Sequence, residues 1–187
     1  MAKTRAFTLI ELMTVVTLVG ILATVAVFST TKYVRFARTS EARNGVGNMA
    51  KRASTAFEEE RMTATMAAPG ASLTAQRKLC GSAIATVPAA IASVKAKKYQ
   101  SSKADWSNAT DLANGAGFPC LKFELTDPQS YMYGYTMTGT GSADGDGFTA
   151  IANGDVDGDG TASTYKMLGT IQKGRVTLAP NLSETPE

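Results

Sequence analysis

Three aspartates alternate with other residues in the segment "GDVDGDGTAS", residues 154–163. Asp155, Asp157 and Asp159 are followed by Gly160, as at the beginning of a calcium loop. In such a loop, carboxylate and carbonyl oxygens converge on one hard cation around a turn that glycine permits. Carboxylates this close together also repel one another unless a cation neutralises them. The pattern therefore predicts calcium binding.

The match to a calcium loop is incomplete beyond Gly160. The last ligand position of an EF-hand loop would be Lys166 instead of a bidentate glutamate, so the segment is not an EF-hand. The Thr161 carbonyl is the expected further ligand, and Asp144 or Asp146 could add another. The alternative is a solvated hairpin turn, because turns also favour Gly and Asp.

A single acidic residue interrupts a long apolar segment near the start of the chain. The stretch "FTLIELMTVVTLVGILATVAVF", residues 7–28, contains Glu11 as its only charged residue. About 20 apolar residues suffice to cross the hydrocarbon of a membrane as a helix, so this segment is long enough to span. A carboxylate in hydrocarbon is costly unless it is paired or protonated, so the sequence raises the question of its partner.

Composition narrows the classes of function. The chain has 187 residues, which suits one compact domain with an appendage, and 44% of them are hydrophobic. Its 19 basic and 16 acidic residues are scattered and give a formal charge of +3, so no basic block indicates direct nucleic-acid binding. The chain contains no histidine, the commonest general base, and this argues against an enzyme.

Hydrophobic periodicity predicts the elements that carry these residues. Apolar residues recur at helical spacing beyond the apolar segment, which predicts one long helix over about residues 7–61, embedded in a membrane or filament core over 7–28. Gly45 and Gly47 weaken the middle of this helix and would permit a bend. Alternation after Cys120 predicts four antiparallel strands and a candidate fifth, at 121–126, 131–137, 148–152, 164–171 and 175–179.

The expected fold class is α+β, with the long N-terminal helix packed against a C-terminal antiparallel sheet of about four strands. The globular head would cover residues 62–187. It divides into a connecting region, the sheet and a mobile tail, at residues 62–122, 123–179 and 180–187. Short helices are predicted within the connecting region at 74–79 and 89–99.

The N-terminus resembles that of type IV pilins and of the related pseudopilins of type II secretion. The resemblance rests on a short basic leader with Lys3 and Arg5, followed by Phe7 and the acid Glu11. In the family, phenylalanine is the first mature residue, glutamate is the fifth, and an unbroken apolar helix follows. The match covers only the beginning of the chain, but the motif is highly specific.

The resemblance implies proteolytic processing. A prepilin peptidase would remove the leader, residues 1–6, by cutting between Ala6 and Phe7 on the cytoplasmic side, and would then methylate the new amino group of Phe7. Ala6 stands where the family usually has glycine. Phe28 stands where the family often has proline, so the helix has no proline kink at this point.

The resemblance also implies a partner for Glu11. Cleavage creates a cation at Phe7, and in a filament a neighbouring subunit can bring its own amine to the same carboxylate. Only one axial stagger pairs the two charges, because any other register leaves the acid unpaired. The alternative is that Glu11 reaches a lipid headgroup at the membrane edge.

The function that the resemblance implies is structural. The chain would be a type IV pilus subunit, anchored in the inner membrane as a precursor and then polymerised with copies of itself into a cell-surface filament for adhesion, motility or DNA uptake. Its partners would be the prepilin peptidase and the inner-membrane assembly machinery. The alternatives are a type II secretion pseudopilin and, in a different class, a membrane-anchored periplasmic binding protein or enzyme.

Cys80 and Cys120 are the only cysteines. Both fall in the part of the chain that this topology places outside the cytoplasm, where disulfides persist, so we expect a bridge between them. The alternative is two separate buried thiols. Two cysteines without a histidine do not favour a zinc site.

Overall fold

The structure is a computed structural model that describes residues 7–59 and 76–185. Its first helix, α1, runs over Leu9–Glu58. Three short helices follow: α2 at Lys103–Trp106, α3 at Ala109–Asn114 and α4 at Gly117–Leu121. The five strands are β1 at Met132–Thr138, β2 at Gly147–Gly154, β3 at Ser163–Gln172, β4 at Arg175–Leu178 and β5 at Ser183–Thr185. The predicted α+β class is confirmed.

The chain forms two compact units, one up to Ala37 and one from Arg38 onward. In the first unit, α1 is long and apolar enough to cross a membrane. In the second unit, α1 is amphipathic: its buried side chains recur at helical spacing, which is the periodicity that predicted the helix. These residues are Ala42, Val46, Met49, Ala50, Ala53, Ala56 and Phe57.

Small residues on this face of α1 let the sheet approach closely. Ala42, Ala50 and Ala53 are fully buried in the same core cluster as the aromatic residues of the sheet. At Gly45, an added Cβ would lie 2.5 Å from the Tyr133 ring. Gly45 therefore provides room for an aromatic side chain, and α1 continues through it as a helix.

The sheet is antiparallel, with β1, β2, β3 and β4 adjacent in that order and β5 also paired with β3. Alternate residues of the strands face α1, as the period of a half-buried sheet requires. Tyr131, Tyr133 and Tyr135, which the sequence places on one face, are all buried. They form the core with Phe148 and other inward residues of β2 and β3.

Several predicted elements are wrong. Residues 121–126 are not a strand: α4 ends at Leu121 and irregular structure follows. Phe123 is buried there, so the alternation reflects burial without a partner strand. The tail is not wholly unstructured, because β5 pairs with β3 within it. Residues 186–187 lie outside the described part.

The connecting region also differs from the prediction. Residues 76–79 are not helical, residues 62–75 lie outside the described part, and within 89–99 the regular structure is a short 3-10 helix at Ile91–Ser93. Three short helices were missed. Their ends carry local signals: the N-cap Asn108 accepts the backbone N–H of Thr110, and Gly115 ends α3 in the left-handed conformation. Helix α1 ends at Glu58, slightly before the predicted end.

Candidate functional site

The Glu11 carboxylate is bound at the first turn of α1. Its Oε2 accepts hydrogen bonds from the backbone N–H and the hydroxyl of Thr8, both at 2.9 Å. Thr8 Oγ1 in turn accepts the backbone N–H of Glu11 at 3.3 Å. This reciprocal pair is a capping box, which satisfies N–H groups that a helix start leaves without partners. Glu11 thus has a neutral partner within its own chain.

Thr8 was missed in the sequence, although Thr-x-x-Glu before an apolar run is the signature of a capping box. Phe7, the predicted first mature residue, lies immediately before it, and its side chain is 83% exposed. The other carboxylate oxygen of Glu11, Oε1, accepts no hydrogen bond from the residues that the structure describes. It can therefore accept one from another molecule. Ala6 and the rest of the leader lie outside the described residues.

The first unit exposes apolar side chains on every side of α1. Leu9, Val19 and Phe28 are each more than half exposed, as are most large apolar residues between them. A helix that is apolar all round belongs in a membrane or in a bundle of helices. Its threonine hydroxyls fit both settings, because they donate to the helix's own carbonyls: Thr14 to Glu11 and Thr17 to Met13.

The three aspartates of the predicted calcium loop converge in the β2–β3 connection. One carboxylate oxygen from each of Asp155, Asp157 and Asp159 lies within 4.8 Å of the others. Calcium binds oxygen at 2.3–2.6 Å, so ligands on opposite sides are up to about 5 Å apart and these three oxygens fit one ion. The structure thus brings together the three carboxylates that the sequence predicted as calcium ligands. Calcium binding itself stays a prediction.

The same aspartates also organise the turn. Asp155 is buried, and its two oxygens accept the N–H groups of Gly158 and Gly160 at 2.6 and 3.0 Å. Asp159 accepts the N–H of Thr161 at 2.6 Å, and this hydrogen bond lowers the pKa of its carboxyl below the usual value. These bonds are those of a turn stabilised by aspartate side chains, which was the alternative to calcium.

Lys95 lies beside this loop, and the sequence did not predict it as a residue of the site. Its Nζ is 3.4 Å from Asp155 Oδ2. The neighbouring Ala96 donates its backbone N–H to the Asp155 carbonyl, which holds the connecting region against the loop. Lys95 therefore supplies part of the positive charge that three clustered carboxylates require.

Asp144 and Asp146 do not join the predicted calcium loop. They lie in the β1–β2 turn, at the opposite end of the eight-residue strand β2 and so about 26 Å away along it. Asp146 accepts the hydroxyl of Thr140 and four backbone N–H groups, from Thr140 to Ala143. The Thr140 hydroxyl, followed by the Ala143 N–H, lowers the pKa of Asp146 to about 2.

This turn predicts a pH-dependent stability. The folded pKa of Asp146 lies below its ordinary value, so the stabilisation is present above about pH 4 and is lost as the pH falls toward 2. We expect Asp146→Asn to lower the thermal midpoint at neutral pH, with the difference from the parent protein disappearing near pH 2. Asp144→Asn is the control, because Asp144 accepts one N–H, from Gly174 at 3.2 Å. A constant difference across this pH range would contradict the assignment.

The two cysteines form the predicted disulfide. Cys80 and Cys120 are 40 residues apart, and their Cα atoms are separated by 5.8 Å. The bridge joins the segment after Gln76 to α4, whose Phe118 and Leu121 are part of the core. It therefore ties the connecting region to the sheet and α1.

Comparison with known proteins identifies the beginning of the chain. Residues 1–27 match the family described as the prokaryotic N-terminal methylation motif. No curated protein and no solved structure shows a significant match. The chain thus carries the prepilin motif of type IV pilins and pseudopilins on an apolar helix that continues into an α+β head. The motif implies processing by a prepilin peptidase, fits a membrane-anchored precursor, and points to a structural subunit of a pilus or pseudopilus.

Proposed function

We propose that this chain is a structural subunit of a type IV pilus that polymerises through α1 into a cell-surface filament. The observation that carries the proposal is the prepilin motif on a helix that is apolar on every side, with Glu11 as the sole ionisable side chain between Phe7 and Thr31. An apolar helix of this kind is stable in the membrane before assembly and in a helix bundle after it. One segment can thus serve both states.

Glu11 gives the bundle its register. In a single chain the carboxylate is held by Thr8, which compensates part of the cost of placing it in an apolar setting. In the filament, the new amine of Phe7 on a neighbouring copy would reach the same carboxylate and add a pair of opposite charges. Sliding the helices away from this stagger separates the two charges in a medium of low dielectric constant, which is strongly unfavourable.

The head favours a pilus over a secretion pseudopilus. Its disulfide suits any location outside the cytoplasm, the cell surface included. Its turns are rich in glycine and threonine, and the strands are braced by a continuous aromatic core. Adhesion, motility and DNA uptake are the outcomes that such a filament would serve.

Filaments sheared from the cell surface test this function. We expect electron microscopy to show thin filaments whose main component is this chain, identified by peptide mass spectrometry. Deletion of the gene should remove these filaments, and expression of the chain should restore them. A deletion that leaves surface filaments unchanged but stops the secretion of folded proteins would identify a pseudopilin instead. The chain found only as a membrane-bound monomer would contradict both.

We further propose that Asp155, Asp157 and Asp159 bind calcium together with the Thr161 carbonyl. The support is the convergence of three carboxylate oxygens within 4.8 Å. The ion would take over the neutralising role of Lys95 Nζ at Asp155. Without the usual twelfth-position acid, affinity should be weak, on the order of 10⁻⁴–10⁻³ M.

The lysine makes calcium binding testable. Millimolar calcium should raise the thermal midpoint of the full chain in detergent micelles, because an ion that binds only the folded state stabilises it. Asp157→Ala should abolish the rise. Lys95→Met should enlarge it, since a competing cation is removed, whereas Lys98→Met should leave it unchanged. If calcium changes the thermal midpoint of the parent protein and of Asp157→Ala equally, the segment is only an acidic turn and not a calcium site.

A further inference from the structure

Asparagine followed directly by glycine occurs in the chain at Asn44, Asn114 and Asn153. Glycine has no side chain, so its backbone nitrogen is the least hindered nucleophile for the side-chain carbonyl carbon of the preceding asparagine. Closing the resulting five-membered ring turns the asparagine away from both helical and extended backbone dihedrals. The structure therefore decides which of these asparagines can react.

Two of these asparagines are held by regular structure. Asn44 lies inside α1, and the glycine after it, Gly45, is buried against the Tyr133 ring. Asn153 lies in β2, and its side-chain oxygen accepts the hydroxyl of Thr164 at 2.8 Å. Core elements of this kind open at a free energy near that of global unfolding. Neither asparagine can turn while α1 and the sheet stay folded.

Asn114 is held much less firmly. It is the last residue of α3, a helix of six residues whose buried residue is Asp111. Asn114 and Gly115 are both exposed, and an added Cβ at Gly115 would meet nothing within 4 Å. The Gly115 N–H is shared between the Asp111 and Leu112 carbonyls, and the bond to Leu112 is weak at 3.4 Å. Helices this short are marginal and fray at their ends, so Asn114 can turn while the core stays folded.

We infer that Asn114 is a site of spontaneous deamidation. The Gly115 backbone nitrogen loses its proton to a solvent base and attacks Cγ of Asn114, which forms a new C–N bond and a succinimide ring. The bond from Cγ to Nδ2 breaks, and the side-chain nitrogen leaves as ammonia. Water opens the ring at either carbonyl and gives aspartate or isoaspartate. The reaction needs only water and residues of one chain, so it does not depend on the proposed filament.

The reaction changes both the charge and the main chain at the end of α3. Either product places a carboxylate at the C-terminus of a helix, where the helix dipole disfavours negative charge. Isoaspartate also lengthens the main chain by one carbon atom close to Ala116. The Ala116 N–H donates to the Asp111 carbonyl at 2.8 Å, and Ala116 pairs with Gly81 next to the disulfide. Deamidation should therefore loosen the connecting region as the protein ages.

The chain contains its own comparison for this reaction. The full-length protein in detergent micelles is incubated at mildly alkaline pH in H₂¹⁸O, so that every carboxyl group formed during the incubation carries the heavy oxygen. Peptide mass spectrometry then gives the extent of conversion at each asparagine. We expect Asn114 to convert at least about tenfold faster than Asn44 and Asn153, because those two wait for the opening of a core element. In denaturant the rates should become similar.

The variant Asn108→Ala tests whether opening of α3 controls the rate. Asn108 is the N-cap of α3, so its loss should speed conversion of Asn114 about fivefold, the factor that corresponds to one N-cap. Conversion of Asn44 and Asn153 should not change. Asn181→Ala removes an exposed asparagine outside α3 and should leave every rate unchanged.

The loss of stability is measured on the same samples. The incubated parent protein should melt at a lower temperature than the fresh protein. Asn114→Gln keeps an amide but would have to close a less favoured six-membered ring, so its thermal midpoint should not fall during incubation. An equal fall in both proteins would contradict the loosening of the connecting region.

Three results would overturn the assignment of Asn114. The first is conversion of Asn44 or Asn153 in the folded chain as fast as that of Asn114. The second is an Asn114 that converts in denaturant but not in the folded chain. The third is the same rate at Asn114 in the Asn108→Ala and Asn181→Ala variants.

Discussion

Replacing Glu11 by alanine is expected to reduce incorporation of the chain into filaments to a small fraction of the parent level. The variant should still insert into the membrane, because removing a carboxylate makes the apolar segment more favourable in hydrocarbon. It should still be cleaved, since the scissile bond lies on the other side of Thr8. What it loses is the charge that selects one axial stagger between neighbouring helices. The measurement is the ratio of filament-bound to membrane-bound chain in sheared and whole-cell fractions.

Thr8→Ala is the matched control for this prediction. Glu11 has two roles, one in the capping box of its own helix and one proposed between chains. Thr8→Ala removes the capping partner at a cost of about 1 kcal/mol and leaves the carboxylate in place. We expect Thr8→Ala to assemble nearly as well as the parent protein. If both variants lose filaments equally, Glu11 acts through its helix cap and does not set the register between neighbouring helices.

The double substitution Cys80→Ser/Cys120→Ser is expected to lower the free energy of unfolding by about 4 kcal/mol on the chain-entropy estimate for a loop of this length. The bridge restricts the unfolded chain and joins the connecting region to α4. A change of this size is a large fraction of the stability of an ordinary domain. Denaturant unfolding of the full chain in detergent, followed by the fluorescence of Trp106, measures it.

Reduction of the parent protein provides an independent comparison. With reductant, it should unfold at the same denaturant concentration as the double variant. Without reductant, alkylation of the unfolded chain should label neither cysteine. Labelling of both cysteines under those conditions would contradict the bridge. A denaturant midpoint that is the same with and without reductant would contradict its stabilising effect.

The elements with strong local periodicity were predictable from the sequence. Helix α1 and strands β1 to β4 repeat apolar residues at the spacing that each element requires. The alternation at 121–126 led to a wrong strand prediction, because Phe123 is buried by neighbouring rings and has no strand beside it. Strand β5 was missed because Ser183–Thr185 is polar and exposed, and its position comes from pairing with β3.

Some residues of the candidate site were likewise predictable from the sequence, whereas others were not. Glu11 and the three aspartates are visible in the sequence because charged residues stand out by type and spacing. Lys95 could not be placed beside Asp155, because 60 residues of chain separate the two and the packing of the connecting region decides their contact. Gly45 was likewise interpreted as a weak point in the helix. Its role is to provide room for the Tyr133 ring, which only the packing of the sheet against α1 shows.

The intact mass of the chain in purified surface filaments shows most directly whether the chain is a processed filament subunit. If the chain is a processed filament subunit, the mass is that of a polypeptide that begins at Phe7, has lost residues 1–6, including Lys3 and Arg5, and carries one added methyl group. A filament-bound chain that retains the leader, or a mass that corresponds to cleavage at another bond, would contradict the account.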